Sequence, residues 1–216
     1  MKIVVIGRGG HSRVVSDTVL TNQGYEIVGF LDDKYDDVRL INNTFCGPIS
    51  SAKKLVENIY DIKFVIAIGD NKIRESIFRR LNLPKEYFPS FIHSSAVISP
   101  SAKIGYGTVI MPNTVLNADT IIGNHSIINT SSTIEHNSII GDFTHISPGV
   151  TLTGAIKIGD GVHIGAGSTI IPNIKVGNWS IIGAGATVIN DIPPFSTAVG
   201  IPARVKKVNQ MTSEVK

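Results

Sequence analysis

Read in sixes, residues 104–145 run IGYGTV, IMPNTV, LNADTI, IGNHSI, INTSST, IEHNSI, IGDFTH. Each hexad opens on Ile or Leu. The rule extends without insertion back through Ile98 to Ile92. It runs on through Ile146, Leu152, Ile158, Ile164, Ile170, Val176 and Ile182 to Val188, seventeen consecutive hits. Four residues after a hit the side chain is usually small or β-branched, as at Ala96, Ala102, Thr108, Thr114, Thr120, Ser126, Ser132, Ser138 and Thr144. A period of six holds no 3.6-residue repeat, so an amphipathic helix is excluded. A short strand and a turn fit, with inward positions alternating with outward ones. Gly105, Gly123, Gly141, Gly159 and Gly177 recur every 18 residues. Three hexads therefore make one triangular coil, with glycine at one corner, where its freedom at positive φ is expected to be used. Stacked coils pair their strands in parallel around aliphatic columns, each fully buried side chain contributing about 1.5–3 kcal/mol.

Composition agrees with that reading. Charged residues are 17% and aromatics 6% of 216 residues, which suits a β-rich fold with small residues at corners and not a disordered chain. A net charge of +3 without an aromatic–arginine platform argues against a nucleic-acid partner. Cys46 is the single cysteine, so neither a disulfide framework nor a cysteine metal site is expected. The apolar start Ile3–Ile6 is broken by Gly7-Arg8-Gly9-Gly10, too short for a secretory signal core. No apolar run approaches the roughly 20 residues of a membrane span. The expectation is a cytoplasmic protein without a membrane partner.

Ahead of the coils the pattern changes. Ile3–Ile6, Ile27–Leu31 and Phe64–Ile68 read as buried strands, alternating with helices at Ser12–Leu20, Ser51–Ile59 and Ile73–Leu81. This β-α-β-α-β order predicts a small Rossmann-like parallel sheet over residues 1–88, with Pro84 and Pro89 marking the passage to a second domain, 89–216. Ligands of such sheets bind at the C-terminal strand ends. Three loops fall there: Gly9-Gly10-His11-Ser12, Asp32-Asp33 and Gly69-Asp70-Asn71. The first is a partial dinucleotide fingerprint, since Ser12 holds the third glycine position. A nicotinamide cofactor, a nucleotide-sugar pyrophosphate on the helix N-terminus, and a tight turn beside a solvated acid pair all remain open.

The hexads resemble those of the left-handed β-helix acyltransferases over about residues 92–205, a coil shared with γ-class carbonic anhydrases. With the small α/β domain in front, the whole chain resembles the bacterial sugar O- and N-acyltransferases of the NeuD/PglD type. These comprise sialic-acid O-acetyltransferases and UDP-4-amino-sugar N-acetyltransferases. The motifs are Gly9-Gly10-His11, Phe30-Leu31-Asp32-Asp33, Ala67-Ile68-Gly69-Asp70-Asn71, Asn129 through His136, Ile140 through His145, and Gly200-Ile201-Pro202-Ala203-Arg204. The resemblance implies a homotrimer with active sites between subunits. It implies acetyl-CoA as co-substrate, a nucleotide-sugar acceptor and no metal. It places the general base at His136, a contact to the acetyl carbonyl at His145, and an oxyanion donor at the Gly154 N–H. Asn137 stands where the bacillosamine-type relatives carry an acidic residue. Ala166, Gly183 and Ala184 are the implied acetyl-CoA positions, with Arg204, Lys206 and Lys207 set to meet its phosphates. Gly9, Gly10, His11, Ser12, Asp32, Asp33, Gly69, Asp70 and Asn129 are the implied acceptor site.

The residues carry part of this unaided. An amine or hydroxyl attacking a thioester must lose a proton, and histidine is the side chain that accepts one near neutral pH. No long insertion leaves the coils, so the base sits on a coil. His145 lies nine residues, half a coil, beyond His136 and so on another side of the prism, where the two meet only across a subunit boundary. Gly154 lies 18 residues after His136, stacked one coil on. The alternatives are sialic-acid O-acetylation, a metalloenzyme built on the stacked pair His145 and His163, and a binding module that has lost catalysis.

Overall fold

The computed structural model describes residues 1–41 and 44–208; the tail of the expected second domain beyond 208 lies outside the described residues. The N-terminal part comprises β1 (Lys2–Ile6), α1 (Gly10–Leu20), β2 (Glu26–Leu31), β3 (Arg39–Ile41), β4 (Thr44–Gly47), α2 (Ala52–Asn58), β5 (Ile62–Ile66) and α3 (Asn71–Leu81). The sheet order is β3-β4-β2-β1-β5. All pairs are parallel except β3–β4, so the sheet is mixed where a purely parallel one was expected. The two added strands span three and four residues, too short for a period to show. Gly29 makes room for them, since a Cβ there would lie 2.1 Å from the Phe45 ring. Along β1 the side chains alternate. Val4 and Ile6 join Phe64, Ile66, Ile77 and Phe88 on one face. Ile3 and Val5 join Val15, Val19, Phe91, Val109 and Ile127 on the other. That second face packs directly on the coils.

The C-terminal part is a left-handed parallel β-helix of two-residue strands in three sheets. One sheet carries strands beginning at Val97, Val115, Thr133, Thr151, Thr169 and Thr187, and the next those at Lys103, Ile121, Ile139, Lys157 and Lys175. The third holds those at Phe91, Val109, Ile127, His145, His163 and Ile181. It is closed by Ser196–Val199 and the antiparallel strand Arg204–Val208. Partners are offset by 18 residues, as in Ile127, His145, His163 and Ile181. The hexad hits from Ile110 to Val188 form the buried aliphatic core. Among the described residues no helix is long and apolar enough to cross a membrane.

The glycine column is real, but its cause differs from expectation. Gly105, Gly123, Gly141, Gly159 and Gly177 do not have positive φ. Coils approach so closely there that a Cβ on Gly123 would lie 2.5 Å from Gly141 C, and one on Gly141 2.7 Å from Gly159 C. Positive φ falls two residues later, at Gly107, His125, Phe143, Gly161 and Trp179.

Those left-handed corners dock the N-terminal domain. Arg74 of α3 is 1% exposed and has no carboxylate partner within salt-bridge distance among the described residues. Its Nε donates to His125 O at 2.7 Å, and Nη2 to Phe143 O at 2.8 Å and Thr144 O at 3.0 Å. Nη1 donates to Ile68 O at 2.8 Å and Gly69 O at 3.3 Å, and Nη2 also reaches Asn71 Oδ1 at 2.8 Å. Asn71 Nδ2 continues to Gly161 O at 3.0 Å and Val162 O at 3.1 Å. One arginine and one asparagine thus read three successive coils at a single corner.

Candidate functional site

The Gly9–Ser12 loop, the Gly69–Asn71 loop and the third sheet meet at His145. Its Nδ1 lies 3.2 Å from Gly69 O and its Nε2 3.1 Å from Asn129 Nδ2. Ring centroids lie 6.1 Å away at His11 and 5.0 Å away at His163. The sequence expected His145 to face an acetyl carbonyl, and in the structure both ring nitrogens already have partners. Gly9 and Gly10 are not held as glycine by the fold: a Cβ at either would meet nothing within 4 Å, and neither lies at positive φ. The space stands open above the first turn of α1, which begins at Gly10, two residues earlier than the pattern implied. Ser12 is turned away from it, donating its hydroxyl to Gly9 O at 2.7 Å. Asp70 caps α3, accepting the Ile73 N–H at 2.9 Å.

The acid pair is engaged internally. Asp32 Oδ2 accepts the Arg8 N–H at 2.7 Å and Oδ1 the Lys34 N–H at 3.1 Å, while Asp33 pairs with Arg80 at 2.6 Å. A cluster that the sequence reading missed surrounds it. Arg8 hydrogen-bonds Tyr35 and lies over Phe30, and Lys34 and Arg39 lie over the Tyr35 ring. Three cations round one ring were not legible because they come from β1's exit, the loop after β2, and β3. A cleft lined by Asp70, Lys72, His163, Trp179 and Ile181 continues from His145 along the coil and was equally unforeseen.

His136 stands elsewhere, exposed at the corner between the first and second sheets. Its Nδ1–H donates to Asn137 Oδ1 at 2.8 Å. Asn137 occupies the left-handed region with φ 60, which asparagine tolerates better than most residues. A Cβ at Gly154 would lie 2.8 Å from His136 Cε1 and Nε2, so glycine is what lets the ring lie over the next coil. The Gly154 N–H donates to no protein acceptor among the described residues. Ala166 and Ala184 are exposed and stack one coil apart at a third corner, the Gly185 N–H bonding Ala166 O at 2.8 Å, with Gly183 beside them. Arg204, Lys206 and Lys207 lie exposed on the final strand. Within one chain, then, the acceptor loops and His145 come together, and His136 with Asn137 and Gly154 forms a separate corner. His145 and His163 stack, but no third His, Cys, Asp or Glu joins them in a metal-holding group among the described residues.

The junction histidines are kept neutral. Burial, then repulsion from His163, pushes His145 down to about 3. Burial and the Arg74 charge push His125 down to about 3, boxed among Phe78, Phe88, Tyr106 and Phe143. His11 and His163 are lowered by the same two causes. A folded-state value below the unfolded one means that the unfolded chain takes up protons first. This contribution to stability is therefore complete above about pH 6.5 and is lost as pH falls from there toward 3, by about 1.4 kcal/mol per pH unit for each fully buried histidine. The melting temperature is expected to drop steadily between pH 7 and pH 5, and His125→Phe to shallow the slope. A pH-independent melt across this range would contradict the burial of these rings.

Comparison with known proteins covers both parts. The family described as PglD N-terminal domain matches residues 2–81, and the bacterial transferase hexapeptide (six repeats) family matches residues 119–154 and 155–190. A UDP-N-acetylbacillosamine N-acetyltransferase from Bacillus subtilis (strain 168) is 41% identical over 109 residues, half of this chain and half of that relative. A variant of the perosamine N-acetyltransferase from Caulobacter crescentus, solved with CoA and GDP-perosamine, is 31% identical. It superposes with a TM-score of 0.86 over 96% of this chain and 97% of that one. The acetyltransferase domain of PglB from Neisseria gonorrhoeae FA1090 is 35% identical, with a TM-score of 0.82 over 94% and 98% of the two chains.

Proposed function

Because this chain belongs to the bacterial sugar acyltransferase family of the NeuD/PglD type, we propose that it transfers the acetyl group of acetyl-CoA to the 4-amino group of a nucleotide-linked deoxysugar. The observation that carries this reading is the near full-length match to enzymes whose names state that reaction, one of them solved with CoA and a nucleotide amino sugar. These relatives acetylate nitrogen, which favours N- over O-acetylation. The open space at Gly9 and Gly10 on the N-terminus of α1 suits a pyrophosphate, and the Arg8–Lys34–Tyr35 cluster suits the attached nucleoside.

The chemistry follows from the His136 corner. With Nδ1–H committed to Asn137, the Nε2 lone pair is free to take a proton from the amine as its nitrogen bonds the thioester carbon. The carbonyl oxygen gains charge, which the Gly154 N–H is placed to stabilise. Collapse of the intermediate breaks the C–S bond, and the CoA thiolate recovers a proton. The stacked small residues Ala166, Gly183 and Ala184 let the pantetheine arm approach the coil backbone. Arg204, Lys206 and Lys207 offer charge to the CoA phosphates.

His136 and the acceptor loops of one chain sit on different sides of the prism, so a complete site requires a second subunit. The working enzyme is a homotrimer, with a sedimentation mass of three chains. Its substrates are made in the cytoplasm, and it acts there in surface-glycan synthesis. The decisive experiment incubates the protein with acetyl-CoA and UDP-, GDP- and dTDP-linked 4-amino sugars and follows free thiol. Release dependent on one such acceptor is expected. Release with sialic acid alone, or with none, would refute the reading.

A further inference from the structure

His145 lies between two groups whose hydrogen-bonding polarity is fixed. The Gly69 carbonyl, 3.2 Å from Nδ1, can only accept. The Asn129 amide nitrogen, 3.1 Å from Nε2, can only donate. Asn129 cannot be reversed, because its Oδ1 is already held by the Thr130 N–H at 2.8 Å. One tautomer satisfies all three contacts: Nδ1 protonated and Nε2 bearing a lone pair. The ring is 9% exposed, stacked 5.0 Å from His163, and near the buried Arg74 cation, so a second proton is excluded by its surroundings. His145 therefore has no N–H to offer a substrate oxygen. Asn129 does, for its Nδ2 carries two hydrogens, makes no other protein contact among the described residues, and is only partly buried.

The structure assigns the hydrogen-bond donor for the thioester carbonyl on this face to the free Nδ2–H of Asn129, with His145 as the neutral anchor that aims it. This deepens the proposed acetyl transfer and rests on it. Gly69 joins the acceptor-binding loop to the anchor, so the loop that meets the nucleotide sugar and the amide that meets the acetyl group share one imidazole. The ring works as a rigid bridge with one donating and one accepting edge. It does not exchange protons with either substrate.

Two readouts test this on the full chain. In the nitrogen-15 spectrum of histidine-labelled protein, His145 is expected to show a protonated Nδ1 and an unprotonated Nε2, unchanged from pH 6 to pH 8.5. A protonated Nε2, or titration within that range, would overturn the inference. In the acetyl-transfer assay, Asn129→Asp keeps the shape but removes the donor and should lower kcat by about 10²–10³, with KM for the nucleotide sugar little changed. His145→Ala should be comparably slow. His145→Gln can accept from Asn129 and donate to Gly69 O, and should recover turnover to within about tenfold of the unsubstituted enzyme. Normal turnover in Asn129→Asp, or a glutamine variant no better than alanine, would also overturn it. The spectrum needs no substrate. Absence of transfer to every amino sugar would thus count against the proposed function alone, while a protonated Nε2 refutes the assignment whatever the acceptor.

Discussion

His136→Ala is expected to lower kcat/KM for the nucleotide-sugar acceptor by about 10²–10⁴, the usual worth of a positioned general base. Binding of acetyl-CoA should be unaffected, because the ring stands at an exposed corner and supports nothing beneath it. Asn137→Ala should cost far less, about one neutral hydrogen bond of 0.5–1.5 kcal/mol, since water can take the Nδ1 proton at an open site. Asn137→Asp would place an anion beside the imidazolium and favour it, moving the acidic limb of the pH–rate profile to higher pH. Mixed oligomers sharpen the test. Chains carrying His136→Ala and chains carrying His145→Ala, each inactive alone, should regain activity after subunit exchange, because one interface then keeps both histidines. Near-normal turnover in His136→Ala would move the base elsewhere. Absence of recovery in verified mixed oligomers would place both groups in one subunit.

How much of this was legible beforehand depended on whether a feature repeats. The hexads from Ile92 to Val188 announce the coil because every strand is two residues long and buries the same position. The family motifs pointed to Asn129, His136, His145 and Gly154 for the same reason: fixed register converts sequence spacing into stacking, as His136 beneath Gly154 illustrates. Single events were opaque. The strands at Arg39–Ile41 and Thr44–Gly47 are too short for alternation to appear. The glycine column was visible, but its cause was not, because positive φ and close coil contact leave the same residue in the sequence. Asp32 and Asp33 looked free and are bound by Arg8, Lys34 and Arg80, partners supplied by other elements. The tautomer of His145 needs the Gly69 carbonyl, 76 residues away.

Arg74 is the extreme case, and its replacement should have the largest effect on stability. In α3, NKIRESIFRRL, it looks like one more surface arginine beside Arg79 and Arg80, yet it is almost fully buried while they are exposed. Its charge is balanced by six neutral acceptors, five of them backbone carbonyls. Burial lowers it to about 9, still a cation at neutral pH. Arg74→Met fills much of the volume but leaves those oxygens without donors, at about 1–3 kcal/mol for each one that water cannot reach. A net loss of at least about 3 kcal/mol corresponds to a fall in melting temperature of roughly 6–12 °C for a chain of this size. Arg74→Lys should rescue little, since one ammonium with three donors cannot span carbonyls on two coils and the loop after β5. The damage should be local as well as global. The aliphatic core of the β-helix contains no α3 residue and should keep its hydrogen-exchange protection, while α3 and the Ile68–Asn71 loop lose theirs. With Gly69 released, His145 loses its acceptor, and turnover should fall below what the remaining folded fraction accounts for. A methionine variant that melts like the parent and keeps α3 protected would show that the docked corner holds without its arginine.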